Sequence, residues 1–273
     1  MKSFKKFKRI IINILKSNRK LKRIIRNFNI GSFAFRMEIN ALKRMPYAYI
    51  CFNAAKLAKK LGYKKISVIE YGVGDGSGLL SLEEYTEEIE KILGVQIDIY
   101  GFDTGQGLPK PVDYRDLPYH WKEGFFPMNK NDLLKKLKKT KLVLGDIEET
   151  SKNFFSNYKP APIGAIIHDF DLYSSTKIAL SMMEGNTNFF LPRVFSYFDD
   201  TIGTDIGLFN DYTGERLAIN EFNLNNADIK ISTPYHFLAQ SKETWHHQIW
   251  IIHFFKHLKY NLFISQDDPK LPT

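Results

Sequence analysis

The chain has 273 residues, of which 44% are hydrophobic and 14% aromatic, enough to bury one sizeable core in a single α/β domain. This composition excludes a chain that is disordered throughout. The single cysteine, Cys51, excludes internal disulfide bonds and clusters of thiolate metal ligands. We expect an inert buried thiol and a protein that works in the reducing cytoplasm.

The net charge of +9 is concentrated at the N-terminus. Residues 1–37 contain twelve Lys or Arg and no acid, which leaves 27 basic and 30 acidic residues, a net charge of −3, for the rest. Between these cations, apolar residues recur at helical spacing; they are Phe4, Phe7, Ile11, Ile14, Leu15, Leu21, Ile24, Ile25 and Phe28. The pattern predicts a basic amphipathic helical arm over 1–37, broken near Ser17-Asn18, ahead of a body over 38–273.

Three functions compete for this arm. Residues 1–28 could lie on an anionic membrane surface, at the inner face of the membrane, and this reading is favoured slightly. The arm could instead pack on the body with its cations in water. Nucleic acid ranks third, because the aromatic residues do not interleave as stacking platforms. The apolar run over 10–15 is too short for a signal peptide, and no window reaches the length of a membrane span.

Helical and strand patterns alternate along the body. Helices are predicted over 47–61, closed by Gly62, and over 79–93, closed by Gly94. Strands are predicted over 66–71, 95–102, 141–144, 164–168 and 194–198. This alternation predicts a doubly wound, mostly parallel sheet, in which ligands bind outside the carboxyl ends of the strands.

A glycine-rich turn follows the first predicted strand. Gly72, Gly74 and Gly76 let the backbone take positive φ angles and let a ligand approach, and the helix that follows points its free N–H groups the same way. Ser77 stands where a dinucleotide fingerprint needs glycine, and no Gly-Lys pair forms a P-loop. Glu70 at the strand end disfavours a pyrophosphate and favours a ligand with hydroxyls or an amine. A glycine turn without a ligand stays open as the plain alternative.

Every predicted strand ends in at least one acid; these are Glu70, Asp103, Asp146, Asp169 with Asp171, and Asp199 with Asp200. Aspartate is disfavoured in strands, and converging carboxylates repel unless a cation or hydroxyls bind them. The pattern therefore favours a shared binding site. Each aspartate could instead form a turn or cap a helix, a reading that is strongest for Asp146 and Asp171.

Three segments together resemble one family. The segments GFDTGQGLP (101–109), HDFDLYSST (168–176) and YFDD (197–200) resemble elements of the macrocin O-methyltransferase family of S-adenosylmethionine enzymes. The glycine turn resembles motif I of class I methyltransferases, and the likeness spans roughly residues 65–202. The segments over 113–129, 213–223 and 245–250 look like those of a bacterial subgroup of methyltransferase-like proteins. The resemblance implies a seven-stranded Rossmann-like methyltransferase fold.

The resemblance also implies a role for individual residues. Glu70 would pair with the methionine amino group or a nearby water, Asp103 would pair with the ribose hydroxyls, and Asp146 would lie near the adenine. The other positions implied beside S-adenosylmethionine are Tyr71, Gly72, Gly74, Gly76 and Thr104. The positions implied to bind Mg²⁺ are Asp169, Asp199 and Asp200, whose hard oxygen ligands suit that ion.

The implied reaction is methyl transfer to a hydroxyl of a small molecule, sugar or glycan precursor. Mg²⁺ would orient vicinal hydroxyls and lower the pKa of the attacked one, which makes Asp169 a catalytic residue as well as a ligand. His246 is the candidate general base, because strand alternation turns His168 away from Asp169. For each of these two histidines taken singly, a satisfied structural role is the favoured alternative. The long insert over 104–128 is expected to form a lid or acceptor wall.

Other functions stay open. The turn after Gly185 lacks the family's Gly-Gly pair, and the spacing from Asp169 to Asp199 is longer than in the family, so a metal-free enzyme is one alternative. A catalytically silent protein that kept the fold for binding or assembly at a membrane surface is another. RNA methylation would use the basic arm, but the chain has no N-P-P-Y or D-P-P-Y tetrapeptide. The acceptor and the oligomeric state are not readable from these residues.

Overall fold

A computed structural model describes Ile12, residues 14–240 and residues 243–265. The helices are α1 (Arg19–Asn27), α2 (Phe33–Glu38), α3 (Met45–Lys60), α4 (Ser77–Leu93), α5 (Lys130–Lys136), α6 (Ile147–Tyr158), α7 (Tyr173–Ser181), α8 (Gly214–Asn225) and α9 (Tyr235–Gln240). The strands are β1 (Lys65–Tyr71), β2 (Gln96–Asp103), β3 (Lys141–Leu144), β4 (Ile163–His168), β5 (Phe190–Phe198), β6 (Ile229–Ser232) and β7 (Ile249–Phe254).

The seven strands form one sheet in the order β3-β2-β1-β4-β5-β7-β6. Strands β1 to β5 run parallel, and β7 runs antiparallel to both β5 and β6. This confirms the predicted doubly wound fold. The strand order reverses between β1 and β4, and such a switch point leaves a crevice at the carboxyl ends of the strands.

Apolar side chains cover both faces of the sheet. One buried cluster joins the sheet to α3 and α4, and a second joins the opposite face to α6, α7 and α8. Strand register aligns the carboxyl ends: Tyr71 lies beside both Phe102 and His168, and His168 lies beside Phe198. The residues that follow β1, β2, β4 and β5 therefore meet at one edge.

Several element boundaries differ from the sequence expectation by one to four residues, and two of the shifted starts follow from the local backbone. Strand β5 begins at Phe190 instead of residue 194. Pro192 has no N–H to donate, but it lies where the register with β4 shifts, in a bulge that needs no such donor, so the strand can begin before it. Helix α4 begins at Ser77 instead of residue 79, directly after Gly76 in the left-handed conformation.

The described part of the arm packs on the body through one side. Asn18 caps α1, at the predicted break, and Ile25 is buried against Ile39 and Ala41. A part-buried ion pair at 2.6 Å joins the buried Arg36 to Glu88 of α4. Residues 1–11 and 13, with Phe4, Phe7 and Ile11 of the predicted apolar face, lie outside the described residues, and the boundary at residue 37 stays a prediction. Among the described helices, none is long and apolar enough to cross a membrane.

Candidate active site

The glycine turn lies in the crevice between β1 and β4. Gly72, Gly74 and Gly76 have φ angles of 78°, 52° and 80°, as the sequence predicts. A Cβ atom on Gly72 would come within 1.8 Å of the backbone oxygen of Asp169. Only glycine allows the end of β1 to approach the residue after β4 this closely.

The turn opens into a cavity of about 730 Å³. The predicted site residues that line it are Glu70, Gly72, Gly74, Asp103, Thr104, Asp146, Asp169, Asp199 and Asp200. The fold therefore brings most of the predicted residues around one hollow. Tyr71, Gly76 and His246 are not among the residues that line it.

Glu70 is buried at the bottom of this cavity and is only 2% exposed. Its Oε1 accepts a hydrogen bond from the Tyr47 hydroxyl at 2.9 Å, whereas its Oε2 is buried and has no partner among the described residues. Burial raises the pKa of Glu70 to about 8. Space for the carboxylate comes from Gly78, where a Cβ atom would lie 1.8 Å from Oε1. An unpaired buried carboxylate oxygen is suited to a cationic donor.

Arg44 lines the same cavity and was not predicted. Its Nη2 donates to the Ser77 hydroxyl at 2.6 Å, and its guanidinium lies 5.1 Å from the ring centroid of Tyr47. Arg44 precedes the first turn of α3, where the helix dipole disfavours a cation. That unfavourable placement was the one signal in the sequence that could have identified it.

Asp103 organises the glycine turn. Its Oδ2 accepts the N–H groups of Val73 and Gly74 at 2.9 and 3.0 Å, and its Oδ1 accepts that of Gly105 at 2.6 Å. A carboxylate has about four lone-pair positions, so these bonds leave about one free for a ligand. Thr104 beside it donates its hydroxyl to the backbone oxygen of Gly107 at 2.7 Å.

Asp146 combines the two functions that the sequence left open. It caps α6 by accepting the N–H of Glu148 at 2.7 Å, and it also lines the cavity. The capping alternative therefore holds for Asp146 without removing it from the candidate site.

The side chain of Tyr71 does not line the cavity, although the resemblance implied a contact with S-adenosylmethionine. Its side chain is 1% exposed and stacks on Phe170 in the core, because alternation along β1 sends it to the face opposite Glu70. His168 is likewise buried, with its ring 4.0 Å from that of Phe198, and burial lowers its pKa to about 3. Neither side chain reaches the cavity lining.

The second feature of the cavity is an acidic cluster. Asp169, Asp199 and Asp200 offer carboxylate oxygens that lie within 4.8 Å of one another. Burial and the charges of the other two raise the pKa of Asp169 well above its ordinary value. The set consists of hard oxygen donors at close range, which fits Mg²⁺ better than a softer ion.

Neighbouring groups fix the orientation of this cluster. Asp199 accepts the Tyr197 hydroxyl, and its backbone oxygen accepts Gln248 Nε2 at 2.7 Å. Asp200 Oδ2 accepts the backbone N–H of Asp171 at 3.0 Å. Asp171 has a φ angle of 62° and lines the cavity beside the cluster.

The side chain of His246 lies outside the cavity lining. Its ring stacks on Phe237 at 4.8 Å and contacts Trp245 at 4.3 Å, in a packed aromatic group that includes Tyr49. The structure places Asp171, and not His246, beside the acidic cluster. The sequence pattern counted Asp171 among the strand-end acids of a shared site, with a turn residue as the alternative.

The insert over 104–128 forms one wall of the cavity. The N–H of Leu108 donates to the Phe125 oxygen at 2.8 Å, and that of Gly124 donates to the Leu108 oxygen at 2.9 Å. This short ladder holds Phe126 near the glycine turn, 3.9 Å from the position of a Cβ atom on Gly74. Trp121 lines the same wall.

Comparisons with known proteins agree on the fold. No family model matches the sequence, and no curated protein matches it either. Among solved structures, the calicheamicin methyltransferase CalS11 aligns over 87% of this chain and 94% of its own, with a TM-score of 0.55 and 17% identity.

Two further solved structures align with lower scores. An apo structure of CalS11, described as a TDP-rhamnose 3′-O-methyltransferase, aligns over 89% of this chain and 91% of its own, with a TM-score of 0.46 and 18% identity. The plantazolicin methyltransferase BamL, in complex with a desmethylPZN analog and SAH, aligns over 90% and 98%, with a TM-score of 0.38 and 10% identity. By its sheet topology and its likeness to the first of these structures, the chain has the fold of the class I S-adenosylmethionine-dependent methyltransferases.

Proposed function

We propose that the protein is an S-adenosylmethionine-dependent methyltransferase that transfers the methyl group to a hydroxyl of a small molecule, sugar or glycan precursor. The observation that carries this proposal is the pair formed by Glu70 and Arg44 in one cavity. A buried carboxylate with an unpaired oxygen and a guanidinium in the lining of one cavity match the ammonium and the carboxylate of an amino acid. A methionine end has both groups.

The rest of the cofactor fits along the strand ends. Asp103 would accept one ribose hydroxyl with its remaining lone pair, next to the N–H groups of the glycine turn that it already holds in place. Asp146 would lie near the adenine, whose exocyclic amine can donate to a carboxylate. Thr104, between these two positions on the cavity wall, would contact the nucleoside.

Asp169, Asp199 and Asp200 would hold Mg²⁺. That ion, when bound, supplies a Lewis acid and a template for two hydroxyls of the acceptor. The carboxylates would orient the acceptor, and Asp171, which lines the cavity beside them, would take the proton from the attacked hydroxyl as the methyl group arrives. Asp171 replaces His246 in this proposal because it lies beside the cluster.

The insert over 104–128 would form the acceptor wall. Trp121, Phe125 and Phe126 present aromatic faces to the cavity, and such faces exclude water from the path of the methyl group. Because the insert touches the glycine turn through Phe126, it would also cover the cofactor.

Isothermal titration with S-adenosylmethionine and S-adenosylhomocysteine tests the proposal. Wild-type protein should bind both, and the double variant Glu70→Ala/Asp103→Ala should bind neither. No binding by the wild type, or undiminished binding by the variant, would contradict it. A catalytically silent protein would bind the cofactor, transfer no methyl group to any hydroxyl acceptor in a panel, and be indifferent to Asp199→Asn.

We also propose that α1 attaches the protein to the anionic inner face of a membrane. While Ile25 packs inward, Ile24 and Phe28 remain 48% and 75% exposed. The exposed cations on the same helix are Arg19, Lys20 and Arg23. Exposed apolar groups flanked by cations are the pattern of a helix that lies in a lipid interface.

A further inference from the structure

Glu215 is a fully buried acid in the first turn of α8, and the sequence patterns gave it no function. Its side chain is 0% exposed. Charged side chains this deep are almost always paired. Glu215 therefore needs an explanation in terms of what surrounds it.

One carboxylate oxygen of Glu215 has a defined structural partner. Oε2 accepts the backbone N–H of Asp200 at 2.9 Å. This bond fixes the short 3₁₀ turn over Asp199–Thr201, which presents two of the three carboxylates in the acidic cluster. Asp200 is thus held at its backbone by Glu215 and at its side chain by the N–H of Asp171.

The other oxygen has no such partner. Oε1 is buried without a hydrogen bond among the described residues. The charged groups that act on Glu215 are Asp200, Asp199 and Asp169, all of the same sign. A neutral amide in this position could accept the same N–H bond from Asp200 without adding a fourth negative group, so the bond alone does not require a carboxylate.

We infer that Glu215 is a positioning residue of a divalent-cation site formed by Asp169, Asp199 and Asp200, and that its own charge is balanced when a cation is bound there. This inference rests on the proposed function, since it needs the cation that the cluster would hold. Outer groups that orient metal ligands commonly change affinity by about 10–100-fold when they are altered.

Glu215→Gln separates the charge from the hydrogen bond, because the amide oxygen can still accept the N–H of Asp200. Glu221→Gln is the matched control: it lies on the same helix but pairs at the surface with Lys177 at 2.9 Å. Mn²⁺ binding by isothermal titration and thermal unfolding with and without Mn²⁺ are the measurements. Binding of S-adenosylhomocysteine verifies that each variant is folded.

We expect Glu215→Gln to bind Mn²⁺ at least about tenfold more weakly than the wild type, and to gain less thermal stability from added Mn²⁺. Glu221→Gln should match the wild type in Mn²⁺ affinity. If Glu215→Gln binds Mn²⁺ as the wild type does, Glu215 serves only as a hydrogen-bond acceptor and the inference is wrong.

The remaining outcomes are equally decisive. A wild type that binds S-adenosylhomocysteine but no Mn²⁺ removes both the inference and the metal step, and leaves cofactor binding intact. If Glu215→Gln does not fold, Glu215→Met repeats the test with a neutral side chain of similar length. Failure of both neutral variants to fold would overturn the inference, because it would make Glu215 a residue that the fold needs whether or not a cation is bound.

Discussion

The hydroxyl of Tyr47 in α3 donates to Oε1 of Glu70 at the end of β1, across 2.9 Å of the protein interior. This bond uses Oε1 of the carboxylate and leaves Oε2 buried without a partner among the described residues. Desolvation outweighs the stabilising effects of Tyr47 and Arg44, so that the pKa of Glu70 rises to about 8. In the folded protein, Glu70 therefore holds its proton near neutral pH.

The first prediction concerns stability against pH. The ordinary pKa of glutamate is 4.5, and in the folded protein that of Glu70 is about 8. Between these values the folded protein holds a proton that the unfolded chain has released, so this group stabilises the fold fully below about pH 4.5 and loses its effect as pH rises through about 8. Glu70→Gln should remove a decline of up to about 1.4 kcal/mol per pH unit.

Urea unfolding at several pH values across this window measures the decline. Because the other buried acids contribute declines of their own, only the difference between the wild type and Glu70→Gln is diagnostic. Glu87→Gln, at a fully exposed ion pair with Lys91, should leave the decline in place. Parallel curves for the wild type and Glu70→Gln would mean that Glu70 is ionised in the empty site.

The second prediction concerns Gly78, in the first turn of α4. Alanine in a helix normally stabilises by about 1 kcal/mol over glycine. A Cβ atom at this position, however, would lie 1.8 Å from Oε1 of Glu70 and force that carboxylate to move. We expect Gly78→Ala to weaken S-adenosylhomocysteine binding at least about tenfold, since the ammonium would lose its aligned partner.

Gly185→Ala is the control for this substitution, because nothing lies within 4 Å of a Cβ atom there. It should bind S-adenosylhomocysteine as the wild type does. Equal affinity for Gly78→Ala would show that the carboxylate of Glu70 does not contact the ligand.

The third prediction concerns Asp103→Asn. In the wild type, both carboxylate oxygens of Asp103 accept backbone N–H groups. Asparagine keeps one acceptor oxygen, but its NH₂ group would face the N–H groups on the other side. Leaving such donors unpaired costs about 1–3 kcal/mol. Both unfolding free energy and S-adenosylhomocysteine affinity should fall.

Asp98→Asn on the same strand, at a partly exposed pair with Lys65, should change neither by more than about 1 kcal/mol. A loss of affinity without a loss of stability would contradict the role of Asp103 in holding the turn.

The sequence was sufficient for features that repeat along the chain. Alternating strands and helices, and an acid after each strand, predict both the sheet and the edge at which Asp103, Asp169 and Asp200 meet. These positions follow from strand direction alone, because the carboxyl ends of parallel strands share one edge.

What the sequence could not give were contacts between distant elements. Arg44 reaches Ser77, 33 residues on, and Glu215 reaches Asp200 from a different helix. Neither carries a local pattern that predicts its partner. The position of His246 was not predictable for the same reason, because packing against Phe237 decides where its ring lies. The alternation rule that turned His168 away applied equally to Tyr71, which resemblance alone had assigned to the cofactor.

The fourth prediction concerns the arm. Replacing Ile24 and Phe28 by serine removes the exposed apolar groups while Ile25 stays packed on the body, so the fold should persist. Wild-type protein should sediment with phosphatidylcholine vesicles that contain about one third phosphatidylglycerol, and release at about 0.5 M NaCl, where exposed charges are screened. The double variant should lose most of this binding. Leu224→Ser, at an 85% exposed site on α8, should not. If the double variant sediments as the wild type and Leu224→Ser do, the exposed side of α1 does not enter the lipid. The arm would then serve only to pack on the body.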